Sequence, residues 1–177
     1  MSPSKHSKTS ATIWTIGHSM RPIEEFLGLL TGARIKVIAD MRSFPGSRKY
    51  PQYGNAALAA TLGTHSIGYH WLQALGGRRS VSPDLPNTAW RNASFQGYAD
   101  YMSSTEVEHG LAQLLTVARK ARTAIMCAEA VWWRCHRSMI AAGIGLRIAN
   151  SQDIAIRWVS YDISVHFLSW QTRRFQP

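Results

Sequence analysis

Cysteine is scarce in this 177-residue chain, with two residues in all, Cys127 and Cys135. Two thiols exclude a disulfide framework and point to a reducing, cytoplasmic setting. No apolar run approaches the roughly 18 residues that suggest a membrane span, so no membrane partner is expected. Acidic side chains are also in short supply, ten against twenty Lys plus Arg, which leaves a formal net charge of +10. Such a surface attracts phosphates, nucleotides or nucleic acid. Among the basic residues arginine dominates, and arginine is the better bidentate partner for phosphate. The stretch MSPSKHSKTS has no apolar centre, so residues 1–11 are expected to be a flexible tail rather than a signal peptide.

What the chain does contain is apolar and aromatic: 45% hydrophobic residues and seven tryptophans, against 17% charged, which excludes a disordered chain. With no internal repeat and no long linker, residues 12–177 are expected to form a single domain. Ile13 to Ile16 reads as a strand that ends in Gly17, His18 and Ser19. A helix follows, with Pro22 suited to its first position and Glu24 and Glu25 to the positive end of its dipole. Ile23, Phe26, Leu27 and Leu30 form its buried face, and Gly32 is its stop. Ile35 to Ala39 reads as a second strand, leading into Asp40, Met41 and Arg42. Strand, helix, strand is the unit of a parallel sheet.

A helix around Asn55 to Leu62 and a strand from Gly68 to Leu72 come next, broken by Gly76 and Gly77. Residues 80–92 read as an irregular loop. Phe95, Tyr98, Tyr101 and Met102 recur at near-helical spacing, as do Leu111, Leu114, Leu115 and Ala118. Thr123 to Ala128 is the fourth expected strand, His136 to Ile148 a helix, and Ile154 to Val159 the fifth strand. The resulting expectation is an α/β fold, a three-layer Rossmann-like sandwich with a mostly parallel sheet of about five strands.

Ligands of open parallel sheets bind beyond the carboxyl ends of the strands. That edge collects His18 and Ser19, Asp40, Arg42 and Arg48, the run Gly76, Gly77, Arg78 and Arg79, then Cys127, Glu129, Cys135, His136 and Arg137. His18, Asp40 and Glu129 are candidates for acid–base chemistry, with capping or ion pairing as their structural alternatives. Cys127 lies in an apolar strand and reads as a small core residue. Cys135 is the candidate nucleophile, because Arg134, His136, Arg137 and an expected helix start all favour its thiolate. Ser19, Arg42, Arg48, Arg78, Arg79, His136 and Arg137 are candidates for holding an anionic substrate. Gly76 and Gly77 form a turn whose bare backbone would admit a phosphate. The spacing from Cys127 to Cys135-His136 is no recognised zinc spacing, so no metal ligand is assigned and the cofactor is left open. Trp132 and Trp133 would either stack on a base or cover the core.

Several of these motifs resemble one family. Thr15-Ile16-Gly17-His18-Ser19 and Asp40-x-Arg42-x-x-Pro45-x-Ser47-Arg48 are similar to the opening of the domain of unknown function 488 family. Leu75-Gly76-Gly77-Arg78 and Phe95-x-Gly97-Tyr98-x-x-Tyr101-Met102 are similar to its middle, and Cys127-Ala128-Glu129 with Cys135-His136-Arg137 to its most distinctive signature. The likeness runs from about Thr12 to Arg147 and departs at Val131-Trp132-Trp133-Arg134. It implies a Rossmann-like fold and the grouping of these motifs, and supplies no reaction. The residues themselves favour an enzyme acting on a phosphate-bearing substrate, a nucleotide or nucleic acid. The alternatives are a non-catalytic nucleic-acid-binding module and a cysteine-based redox or metal sensor.

Overall fold

A computed structural model of the chain describes residues 11–46, 48–79, 93–131, 135–141 and 154–158. Five strands, β1 (Ala11–Gly17), β2 (Val37–Asp40), β3 (Gly68–Trp71), β4 (Thr123–Cys127) and β5 (Ile154–Trp158), form one sheet in the order β3-β2-β4-β1-β5. Every pairing is parallel, so all carboxyl ends lie on one edge. Parallel neighbours need crossovers, and helices α1 (Ile23–Gly32), α2 (Asn55–Thr64), α3 (Ala93–Tyr101) and α4 (Thr105–Lys120) provide them. The expected α/β architecture is therefore the one observed.

Alternation along the strands explains the three layers. On β1, Ile13 joins a core with Tyr98 of α3, Val107, Leu111, Leu114 and Ala118 of α4, and Ile125 of β4. Its neighbours Trp14 and Ile16 face the other way, onto Phe26, Leu27 and Leu30 of α1 and Leu58 and Leu62 of α2. All five residues of β4 are buried, as its position between β2 and β1 requires. Among the described residues no helix is long and apolar enough to cross a membrane.

Element boundaries differ from the sequence reading in ways with local causes. β1 begins at Ala11, because its pairing with Ile154 carries the ladder two residues beyond the expected Ile13. Pro22 is the residue before α1 rather than its first residue, with an extended backbone, while its carbonyl accepts the first helical bond from the Phe26 N–H at 3.2 Å. β2 begins only at Val37, since the Ile35 N–H turns back to the Leu30 carbonyl at 2.8 Å. Helix α4 has a cap that the apolar spacing does not reveal: the Ser104 hydroxyl accepts from the Val107 N–H. After Cys135 the chain is helical over 137–141. Of the expected tail at 1–11, Ala11 instead belongs to β1; residues 1–10, the loop at 80–92, Ser47, Trp132, Trp133, Arg134 and the remainder of the helix to Ile148 lie outside the described residues.

Candidate functional site

The sheet ladder continues past the strand ends and sets the site's framework. The His18 N–H donates to the Cys127 carbonyl at 3.1 Å and the Ser19 N–H to that of Ala128 at 2.9 Å. Ser19 takes a left-handed backbone, φ 50°, which turns the chain away from the sheet. Gly17 stands opposite Cys127, and a Cβ there would overlap the Glu129 carbonyl, so only glycine permits this approach of β1 to the segment after β4. On the other side of β4, the Met41 N–H reaches the Met126 carbonyl at 2.9 Å.

Three ionisable groups occupy the floor. Asp40 is fully buried and accepts from the Arg42 backbone at 3.0 Å, from the Arg42 guanidinium at 2.5 to 3.1 Å, and from the Tyr69 hydroxyl at 2.6 Å. Both carboxylate oxygens are thereby occupied. Arg42, also buried, extends Nη1 to 3.4 Å from His18 Nε2. His18 Nδ1 lies 2.9 Å from the Ser19 carbonyl, which accepts only, so the ring proton sits on Nδ1 and Nε2 presents a lone pair. The imidazole stacks on Tyr53 at 4.1 Å. Burial, with the Arg42 charge beside it, lowers the His18 pKa to about 4, so the ring is neutral near pH 7.

Above this floor stand the two thiols. Cys127 and Cys135 are both free and buried, with their sulfurs 2.7 Å apart. The hydrogen bond between them splits the pair. Cys127 keeps its proton and is pushed well above the usual thiol range, by that bond and by burial. Cys135 is pulled far below the range, first by the Cys127 thiol, then by the His136 hydrogen bond and the His136 and Arg137 charges. His136 Nε2 donates to the Met41 carbonyl at 3.2 Å, which leaves Nδ1 facing the Cys135 sulfur at 3.5 Å.

Arg137 is 1% exposed. It donates from Nη1 to the Thr15 hydroxyl at 3.2 Å and from Nη2 to the Glu129 carbonyl, while its Nε has no partner among the described residues. No carboxylate lies within ion-pairing distance of it among those residues, so its charge acts on the thiols. The guanidinium ties the turn after β4 to β1.

The sequence-predicted residues thus divide into three groups. His18, Asp40, Arg42, Cys135, His136 and Arg137 are brought together in the interior. Ser19 is half-buried, and Glu129, Arg48 and Arg78 are exposed. Arg79 turns away, its guanidinium 3.7 Å from the Tyr101 ring centroid. Gly76 and Gly77 do not leave open space for a phosphate: a Cβ on Gly76 would strike Ser43, and one on Gly77 would fall within the His136 ring. Their bare backbone is used by protein side chains. Cys127, expected to be a core residue, is buried and also the partner of Cys135. Tyr53 and Tyr69 were not singled out by the sequence reading, and Thr15 entered it only as part of the Thr15-Ile16-Gly17-His18-Ser19 motif. The signal for Tyr69 was a polar tip on a strand beside the one carrying Asp40.

The residues that meet here are those of the shared motifs. The family model described as "Domain of unknown function DUF488" matches residues 22–144. The chain belongs to this family. The match takes in Asp40, Arg42, the Gly76-Gly77 turn and both cysteines of the DUF488 domain, and begins just after His18 and Ser19. No curated protein and no solved structure matches the chain.

Proposed function

We propose that this DUF488 protein is an enzyme that uses Cys135 as a nucleophile on a phosphate-bearing substrate, a nucleotide or nucleic acid. The observation that carries the proposal is the acidified Cys135 sulfur, held between the Cys127 thiol, His136 Nδ1 and a buried arginine that has no carboxylate partner among the described residues. A thiolate so prepared attacks an electrophilic centre of the substrate. A sulfur bond forms, the bond to the leaving group breaks, and the proton that His136 Nδ1 takes from the Cys135 thiol passes to that group. Glu129, exposed two residues after Cys127, is the acid–base candidate for the release step. Asp40, Arg42 and His18 act as positioning residues: they fix the turn carrying Met41, whose carbonyl orients His136. Exposed Arg48 and Arg78 supply charge for the phosphate.

The test is an incubation with mononucleotides, single-stranded DNA and RNA, followed by mass spectrometry for products and for a covalent adduct on Cys135. Turnover or adduct that disappears in Cys135→Ser is the expected result. Turnover retained by that variant would remove Cys135 from the chemistry.

A second reading, a dithiol–disulfide couple, is favoured by the 2.7 Å sulfur separation. A peroxide would oxidise the Cys135 thiolate to a sulfenic acid, and Cys127 would displace its oxygen as water to close a disulfide. Cys127, Cys135 and His136 also have their ligand atoms within 4.8 Å of one another. Two thiolates on one tetrahedral zinc stand about 3.8 Å apart, from the Zn–S length. The observed pair is closer than that and suits sulfur chemistry better than a shared ion. Peptide mapping under non-reducing conditions after peroxide treatment distinguishes the couple from an inert pair.

A further inference from the structure

The large hydrophobic side chains exposed among the described residues are Met20, Phe44 and Trp71. All three belong to one edge of the molecule: Met20 follows β1, Phe44 follows β2, and Trp71 ends β3. Met20 and Phe44 are each 70% exposed, an unfavourable position for apolar groups with no role in the core. Trp71 is 40% exposed and held by its indole N–H, which donates to the Arg42 carbonyl at 2.8 Å. Its ring is therefore anchored beside the site floor with part of its surface still in solvent.

Exposed cations accompany these side chains. Arg48 and Lys49, in the same loop as Phe44, are exposed, as is Arg78, whose backbone N–H donates to Ser43 next to Phe44 at 3.3 Å. Of the acidic groups nearby, Glu25 is engaged by Arg21 and Asp40 by Arg42, while Glu24 and Glu129 are exposed. The strand order then sets the scale. β3 and β1 are separated by β2 and β4, three neighbour steps of roughly 4.8 Å, or about 14 Å in all. Apolar side chains that follow or end three strands of this edge, with exposed cations in the same loops, exceed what one nucleobase can cover.

We infer that this edge is a binding track for a single-stranded polynucleotide, with Phe44 as a base-stacking residue and Met20 and Trp71 contacting flanking bases. This names the substrate class of the site and rests on its reading as one that takes phosphate-bearing molecules. Aromatic faces accept any base once it is unpaired, whereas a duplex hides its base faces. A mononucleotide would engage one apolar residue and forfeit the others.

The experiment is fluorescence anisotropy with labelled oligothymidylate and oligouridylate, the matching thymidylate–adenylate duplex, and thymidine monophosphate as competitor. Tight binding of a single strand, weak binding of the duplex and poor competition by the mononucleotide are expected. Phe44→Ala should weaken single-strand binding roughly 5- to 150-fold and Phe44→Trp should restore it. Because Phe44 is mostly exposed, both variants should melt as wild type does. The ratio of the two labelled strands assigns the track to DNA or RNA. Duplex bound as tightly as single strand, unchanged affinity in Phe44→Ala, or no binding at all would overturn the inference. Thymidine monophosphate competing as well as the oligonucleotide would overturn it while leaving the nucleophile proposal standing. Conversely, turnover retained by Cys135→Ser would remove the nucleophile while single-strand binding by the wild-type protein kept the track intact.

Discussion

At the scale of single residues, burial sets what each ionisable group can do. His18 has a folded-state pKa of about 4 against an ordinary value of 6.5, so between those values the unfolded chain binds more protons. Stability from the neutral ring is complete above the higher value and is lost as pH falls through the lower one. Urea midpoints should therefore drop as pH falls from 6.5 to about 4. In His18→Gln the part of that drop due to this ring should vanish, and an unchanged profile would contradict the assignment. Asp40 offers a second check. Replacing it by Asn leaves the buried Arg42 guanidinium without its counter-charge, which should cost about 3–5 kcal/mol in a urea titration. A change under about 1 kcal/mol would mean that Arg42 reaches solvent and is no more than a surface pair.

At the scale of elements, the same residue type has opposite consequences in β1 and α1. Gly28 lies inside α1 with nothing close to where a Cβ would stand, so Gly28→Ala should stabilise by about 0.5–1 kcal/mol. Gly17 ends β1 against the backbone of Glu129, and Gly17→Ala must push apart β1 and the segment after β4. A loss of about 1–3 kcal/mol is expected there. Thermal melts of the two variants should move in opposite directions, and parallel shifts would place the close approach elsewhere. The helices themselves were legible because an apolar stripe such as Phe26, Leu27 and Leu30 repeats at helical spacing whatever it packs against. Strand limits were less so, since the hydrogen bonds that define them come from partners remote in sequence, as Ala11 does with Ile154.

For the whole molecule, the net charge of +10 predicts polyanion binding that weakens steeply with salt. The structure divides the arginines that carry it. Arg78 is exposed, whereas Arg79 lies over the Tyr101 ring. Titrations of single-stranded DNA across a salt series should show Arg78→Ala reducing the salt slope by about 1 and Arg79→Ala leaving it nearly unchanged. Equal reductions would show that the Arg79 guanidinium leaves Tyr101 to meet phosphate.

The sequence alone determined the α/β class, the helical and strand segments and the edge on which polar motifs collect. Periodicity and burial are local properties, and a parallel sheet places every strand's carboxyl end on one side. Its motifs also sufficed to assign Cys135, His136 and Arg137 to that edge. Only the tertiary structure decided that β4 lies between β2 and β1, and so that Cys127 meets Cys135, Arg137 reaches Thr15, and Gly77 leaves room for the His136 ring. Those contacts join residues up to 122 positions apart, as Arg137 and Thr15 are. They depend on strand order and register, which no hydrophobic period encodes, because the same alternation would bury the same faces in another order of strands.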